Sequence, residues 1–251
     1  MRVFITGASS GIGAALAREY AAGGAVLGLT ARRRPPLASL AAELKTAAAI
    51  YPLDVRDAAA LRDAATDFMQ RFGVPDVVIA NAGVSAGTLT EHAEDLPVFQ
   101  EIFDINVVGM VATFQPFVAA MRERGTGSLV GIASVASFRG IPGAGAYSAS
   151  KAAAIGYLES LRVELRGSGV MVTTICPGYI RTPMTAKNPY PMPFMLDADD
   201  AARRFIDAID ANKSFTIIPW QMGVVGYLLK RLPNGLYDWA FSRAGRKPRR
   251  G

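Results

Sequence analysis

Short apolar runs alternate along this chain with longer stretches in which apolar residues recur every three to four positions. The short runs, at 3–6, 26–30, 49–53, 77–80, 128–132, 171–175 and 215–218, have the length of strands. VVIA at 77–80 and SLVGI at 128–132 are apolar without alternation, as a strand covered on both faces requires. The longer patterns predict helices at 12–22, 37–45, 58–72, 98–124, 146–166 and 198–211. This alternation predicts an α/β fold: one doubly wound parallel sheet of about seven strands, with helices on both faces. No repeat or linker interrupts it, so residues 1–219 read as a single domain. The proline-dense stretch 182–194, TPMTAKNPYPMPF, cannot be a helix interior and reads as a long loop or lid after the sixth strand. Residues 220–251 read as a C-terminal extension that serves as a lid or interface, not as a separate domain.

Composition narrows the class. With 251 residues, 51% of them hydrophobic and 19% charged, the chain has ample material for a core and is far from a disordered composition. No apolar run reaches the roughly 18 residues of a membrane span, so no transmembrane segment is expected. The opening MRVFITG lacks the basic and long apolar regions of a signal peptide. A single cysteine, Cys176, excludes an internal disulfide and suits a reducing, cytoplasmic location. One histidine, His92, and no Cys/His cluster argue against a metal site. The net charge is +6, but five positive charges lie in the last nine residues, which leaves about +1 on residues 1–242. The basicity belongs to a tail, which weakens any nucleic-acid reading.

Three patterns carry candidate chemistry. TGASSGIG, from Thr6 to Gly13, follows the first strand and opens the first helix. Gly7 permits a tight turn, Gly11 lets a ligand approach the backbone, and Gly13 lets helix and strand pack. The N–H groups through Ser9, Ser10 and Ile12 would then face an anion at the positive end of a helix. The alternative is a purely structural turn. After the second strand come Arg32, Arg33 and Arg34, where many dinucleotide sites carry an acid for the ribose of NAD. Arginine suits a phosphate, which favours NADP over NAD; the alternative is a solvated basic turn. Finally, Tyr147 and Lys151 stand one helical turn apart among small residues, so a phenol and an ammonium can share a site. Such a pair also occurs by chance on surface helices.

Taken in order, these motifs and several others resemble the short-chain dehydrogenase/reductase family in its roughly 250-residue form, from Val3 to about Ile218. The resemblance implies a Rossmann fold and an NADP-dependent oxidoreductase interconverting a carbonyl and a secondary alcohol. In it, TGASSGIG is the cofactor loop and Asp54-Val55 touches the adenine. ANAG, containing Asn81, Ala82 and Gly83, stands where the family has NNAG. Asn106 in NVVG is similar to a structural and proton-relay asparagine, and Ser134 in IASVAS to the serine that orients the substrate oxygen. Tyr147 is implied as general acid or base, with Lys151 lowering its pKa and holding the nicotinamide ribose. PGYIRTPM, with Pro177, Gly178, Ile180 and Thr182, resembles the segment that cradles the nicotinamide. Rival readings are a nucleotide-binding regulator without turnover and an isomerase or dehydratase using the same tyrosine.

The resemblance also implies a homodimer or homotetramer built on helices 98–124 and 146–166. Residues 85–89 and 138–143, with the 182–194 lid, are expected around the substrate, a small carbonyl or alcohol. MGVVGYLL at 222–229, followed by Lys230 and Arg231, is expected to pack over that pocket or on a partner subunit. Peripheral contact with an anionic membrane is the alternative. Residues 220–241 are expected to be ordered and 245–251 mobile.

Overall fold

The computed structural model describes residues 1–186, 188–242 and 245–249. Three strands, each followed by a helix, open the chain: Arg2–Thr6 (β1), Gly11–Ala22 (α1), Val26–Ala31 (β2), Arg34–Glu43 (α2), Ala48–Pro52 (β3) and Ala58–Phe72 (α3). Val77–Ala80 (β4), Asp95–Phe103 (α4), Gly109–Arg124 (α5), Gly127–Ile132 (β5), Gly145–Glu164 (α6) and Val170–Pro177 (β6) continue the series. Two short strands, Ile180–Arg181 (β7) and Leu196–Asp197 (β8), pair with each other. Ala198–Asp210 (α7), Phe215–Ile218 (β9), Trp220–Arg231 (α8) and Asn234–Phe241 (α9) complete the chain.

The main sheet is parallel throughout, in the order β3-β2-β1-β4-β5-β6-β9. This is the expected single doubly wound domain of seven strands. The alternation of β1 shows how both faces are buried. Val3 and Ile5 pack with Leu16, Leu27 and Phe205 on one side. Phe4 points the other way, into Phe68, Phe114 and Phe117. Its ring meets Phe68 edge-on at 5.6 Å and Phe117 at 4.9 Å.

Several elements depart from the sequence expectation. The helix expected at 98–124 begins at Asp95 and contains a π-helical turn, Asp104–Val108, between α4 and α5. By length and composition this 30-residue stretch, Asp95–Arg124, could cross a membrane, unlike any other helix of the described residues. Its Phe114, Phe117 and Met121 are instead fully buried against the sheet. Residues 220–241 hold two helices, each starting directly after a proline, Pro219 and Pro233. Proline fixes the entry to a helix without leaving an unsatisfied N–H. Arg139 holds this pair down by donating to the carbonyls of Leu229 and Leu232, the former at 2.7 Å. The outer surfaces of α8 and α9 leave Trp220, Tyr227, Leu228, Leu236 and Trp239 exposed.

The expectation of a mobile tail does not hold for 245–249. Arg249 donates to the buried Asp95 carboxylate at 2.8 and 3.1 Å and to Glu94 at 2.9 Å. Gly87 N–H donates to Pro248 O at 2.9 Å. A charge-paired, backbone-bonded segment is docked, which its basic composition alone does not reveal. Residues 250 and 251 lie outside the described residues.

Candidate active site

A cleft of about 320 Å³ opens at the carboxyl ends of the strands, where β1 and β4 diverge into opposite halves of the sheet. The loop from β1 to α1 forms one end. Gly7 turns the chain there with a φ of +68°, in the left-handed region that favours glycine. Gly13 serves close packing: a Cβ on it would stand 2.3 Å from the Gly7 carbonyl oxygen. Gly13 is buried behind the loop and does not line the cleft, whereas Gly7, Ser9, Ser10, Gly11 and Ile12 do. Asn81 ties ANAG to this loop, its Nδ2 donating to the Thr6 and Gly7 carbonyls at 3.0 and 3.1 Å. At the N-cap of α1, Ser10 makes no side-chain capping bond, and the first turn carries no acid. The helix therefore presents its uncapped N–H groups and positive dipole to the cleft.

Arg32 and Arg33 follow β2 at the cleft edge, both exposed. Asp54 and Val55 face them, and Asp54 is engaged by Arg56 at 2.7 Å. That hydrogen-bonded arginine holds the Asp54 carboxyl below its usual range, with a smaller contribution from Arg32. The opposite wall comprises Pro177, Gly178, Ile180 and Thr182 after β6, together with Pro183, Met184 and Thr185. Thr185 anchors this turn by donating its hydroxyl to Ile180 O at 2.6 Å. Nothing in the bare spacing of 182–194 singled out Met184 or Thr185 as wall residues.

Ser134, Tyr147 and Lys151 gather at the inner end. Ser134 caps a short 3-10 turn, its Oγ accepting from Ala136 N–H at 3.1 Å. That bond uses an oxygen lone pair and leaves the hydroxyl proton free to donate. Lys151 is buried, and its Nζ donates to the Ile132 carbonyl at 2.7 Å. Burial lowers its pKa to about 8. Burial also raises the Tyr147 phenol above its ordinary value, while its contact with the Ser134 side chain pulls the other way. Burial outweighs any lowering of the Tyr147 pKa by Lys151 in the cofactor-free site. The ammonium is held by Ile132, 6.0 Å from the Tyr147 ring centroid, and desolvation of the phenol dominates.

Asn106 does not line the cleft; it lies buried in the π-helical turn behind it. Its Oδ1 accepts from Val84 N–H at 2.8 Å, and its Nδ2 donates to Val84 O and to Ser150 Oγ, both at 3.0 Å. It thereby fastens the loop after β4 to α6, one residue before Lys151. A Cβ on Gly83 would lie 3.3 Å from Asn106 Oδ1 and 3.5 Å from Lys151 Nζ, so Gly83 packs directly against both groups. Ser150 and the Ile132 carbonyl were not foreseen, because main-chain acceptors and cross-element partners leave no mark in a linear motif. Cys176 is buried beside Lys151, and burial pushes its thiol up to about 12, away from nucleophilic chemistry.

A doubly wound parallel sheet with an uncapped glycine loop at its switch point defines a nucleotide-binding α/β protein. The short chain dehydrogenase family profile matches residues 1–191, and this chain belongs to that family. A Myxococcus xanthus protein described as an uncharacterized oxidoreductase is 41% identical, over 95% of both chains. A 2-dehydro-3-deoxy-L-rhamnonate dehydrogenase (NAD(+)) from Sphingomonas sp. is 36% identical over 74% of each chain. An alcohol dehydrogenase from Thermococcus sibiricus, complexed with 5-hydroxy-NADP, superposes with a TM-score of 0.78 at 28% identity. That match covers 86% of this chain and 95% of the other. The protein is an oxidoreductase of this family, whose members hold NAD or NADP.

Proposed function

We propose that this protein is an NADP-dependent reductase or dehydrogenase that interconverts a carbonyl and a secondary alcohol. The observation that carries this is the convergence of Ser134, Tyr147 and Lys151 at the inner end of the cleft whose outer end is the glycine loop. The residues present fit the cofactor. Uncapped N–H groups at Ser9, Ser10 and Ile12 suit its pyrophosphate, Asp54 and Val55 flank an adenine, and Lys151 suits the ribose hydroxyls. Thr182 suits the carboxamide. When bound, the cofactor supplies or accepts the hydride.

The chain's own residues manage the proton. A phenol raised by burial stays protonated at neutral pH, so Tyr147 is poised to donate to the substrate oxygen as it gains negative charge. Ser134 donates a second hydrogen bond to that oxygen, and both donors stand pre-positioned at the inner end of the cleft, so they need little reorganisation as charge develops. Asn106 is a positioning residue that holds α6 in register through Ser150. Incubation with NADPH and a panel of ketones and aldehydes tests the reading. NADPH consumption with alcohol formation supports it. Binding without consumption would favour a regulator, and substrate change without net oxidation an isomerase or dehydratase.

NADP is the preferred cofactor in this reading. Arg32 and Arg33 are exposed at the cleft edge, and no acid follows β2 to repel a 2′-phosphate. Arg32→Ala is expected to weaken NADPH binding by about tenfold to a hundredfold, the loss of one charge-assisted contact, and to leave NADH binding nearly unchanged. Paired calorimetric titrations check this, and equal wild-type affinity for the two cofactors would refute it.

The active form is a homodimer or homotetramer. Phe99, Val108 and Val111 on the α4–α5 stretch and Val163 on α6 are exposed apolar groups suited to a helical interface. Light scattering at micromolar concentration is expected to return a multiple of the 26.6 kDa chain mass; a monomer would overturn the assembly. The single buried thiol fits a cytoplasmic location.

A further inference from the structure

The docked tail crosses all three segments expected around the substrate. Lys247 Nζ donates to Ser85 Oγ at 2.6 Å, and Gly87 bonds to Pro248 and bridges to Arg249. Arg246 lies so close to Gly143 that a Cβ there would be 3.0 Å from the Arg246 Cβ. Gly245 stands beside Tyr190 of the 182–194 loop. Residues 245–249 thus form a strap on the substrate side of the site, outside the wall of the cofactor cleft.

Of the strap's three cations, Arg246, Lys247 and Arg249, the last two are treated differently. Arg249 is neutralised by Asp95, a buried carboxylate, and by Glu94, so it is the anchor. Lys247 is half-buried and is given only the neutral Ser85 hydroxyl; no carboxylate among the described residues forms an ion pair with it. Its Nζ lies 5.5 Å from the centroid of the Tyr147 ring, nearer than that of Lys151. A partly dehydrated ammonium without a counterion is costly, and an anion that pairs with it recovers that cost. Burial accordingly pushes the Lys247 pKa down.

We infer that the substrate carries an anionic oxygen group, a carboxylate or phosphate, that pairs with the Lys247 ammonium while the carbonyl sits at Tyr147. The site is a one-point anion subsite supplied by the C-terminal strap, and Ser85 holds the lysine head toward it. This rests on Tyr147 as the group that faces the reacting oxygen.

Calorimetry on the NADPH-loaded protein tests it with two matched pairs: 4-oxopentanoate against its methyl ester, and dihydroxyacetone phosphate against dihydroxyacetone. The wild type is expected to bind one anionic member about tenfold or more tightly than its neutral partner. Which pair shows the preference identifies carboxylate or phosphate. Lys247→Met is expected to abolish the preference and Lys247→Arg to retain it. Less than a threefold preference in both pairs, including no binding, would overturn the inference. So would a preference unchanged in Lys247→Met, or lost equally in Lys247→Arg, which would point to strap geometry alone. Tyr147→Phe is expected to keep the preference. Failure of the catalytic reading therefore shows in turnover, and failure of the anion subsite shows in binding.

Discussion

Replacing Tyr147 with phenylalanine is expected to lower kcat by about two to four orders of magnitude and to leave NADPH affinity within about threefold. The change removes one oxygen and almost no volume, so packing on α6 is preserved. What is lost is the phenol of the inner cleft wall, raised by burial and therefore protonated at neutral pH. Ser134 remains to hydrogen-bond the substrate oxygen but cannot replace the proton at its usual pKa. Steady-state kinetics beside a cofactor titration separates the two effects. Turnover within tenfold of wild type would remove Tyr147 from the chemistry.

Lys151→Ala is expected to damage both measurements. Its ammonium is buried, bonded to Ile132 O at 2.7 Å and aimed into the same inner cleft. Losing a charged contact to the ribose weakens NADPH binding by about tenfold to a hundredfold. The falling positive field at the substrate oxygen lowers kcat as well. Unchanged cofactor affinity would contradict the ribose role. The same residue has a signature in stability. Its folded value of about 8 lies below the ordinary 10.5, so between those limits the unfolded chain holds more protons than the folded one. Stability from this group therefore rises with pH across that interval. Raised groups such as Cys176 act in the opposite direction above pH 9, so the signature lies in the comparison: denaturant titrations of the cofactor-free protein across that interval are expected to show stability rising less, or falling more, with pH in Lys151→Ala than in the wild type.

The strands were readable because each is a short apolar run bounded by a turn, and Val3, Phe4 and Ile5 show why both faces had to be apolar. The glycine loop was readable because its residues are contiguous and its geometry is local. Tyr147 and Lys151 were readable as a pair at helical spacing, but the direction of the tyrosine shift was not. It depends on how far the fold buries the phenol, with the Ser134 side chain pulling the other way. The π-helical turn at Asn106 inserts no residue type that marks it. Helices α8 and α9 were hidden because their apolar residues are split between a packed face and an exposed one. The strap was hidden for a related reason. Its basic residues look alike along the chain, and only the fold separates Arg249, paired with Asp95, from Lys247, left beside Tyr147.

The proposed reaction transfers a hydride between NADPH and a carbonyl carbon. Its most direct test uses NADPH deuterated at the transferable position, with a ketone that the wild-type protein consumes. The expected product is an alcohol carrying deuterium at the former carbonyl carbon, on one face only, which Tyr147→Phe forms far more slowly. An alcohol bearing hydrogen from solvent at that carbon, or a product formed without loss of deuterium from the cofactor, would contradict it.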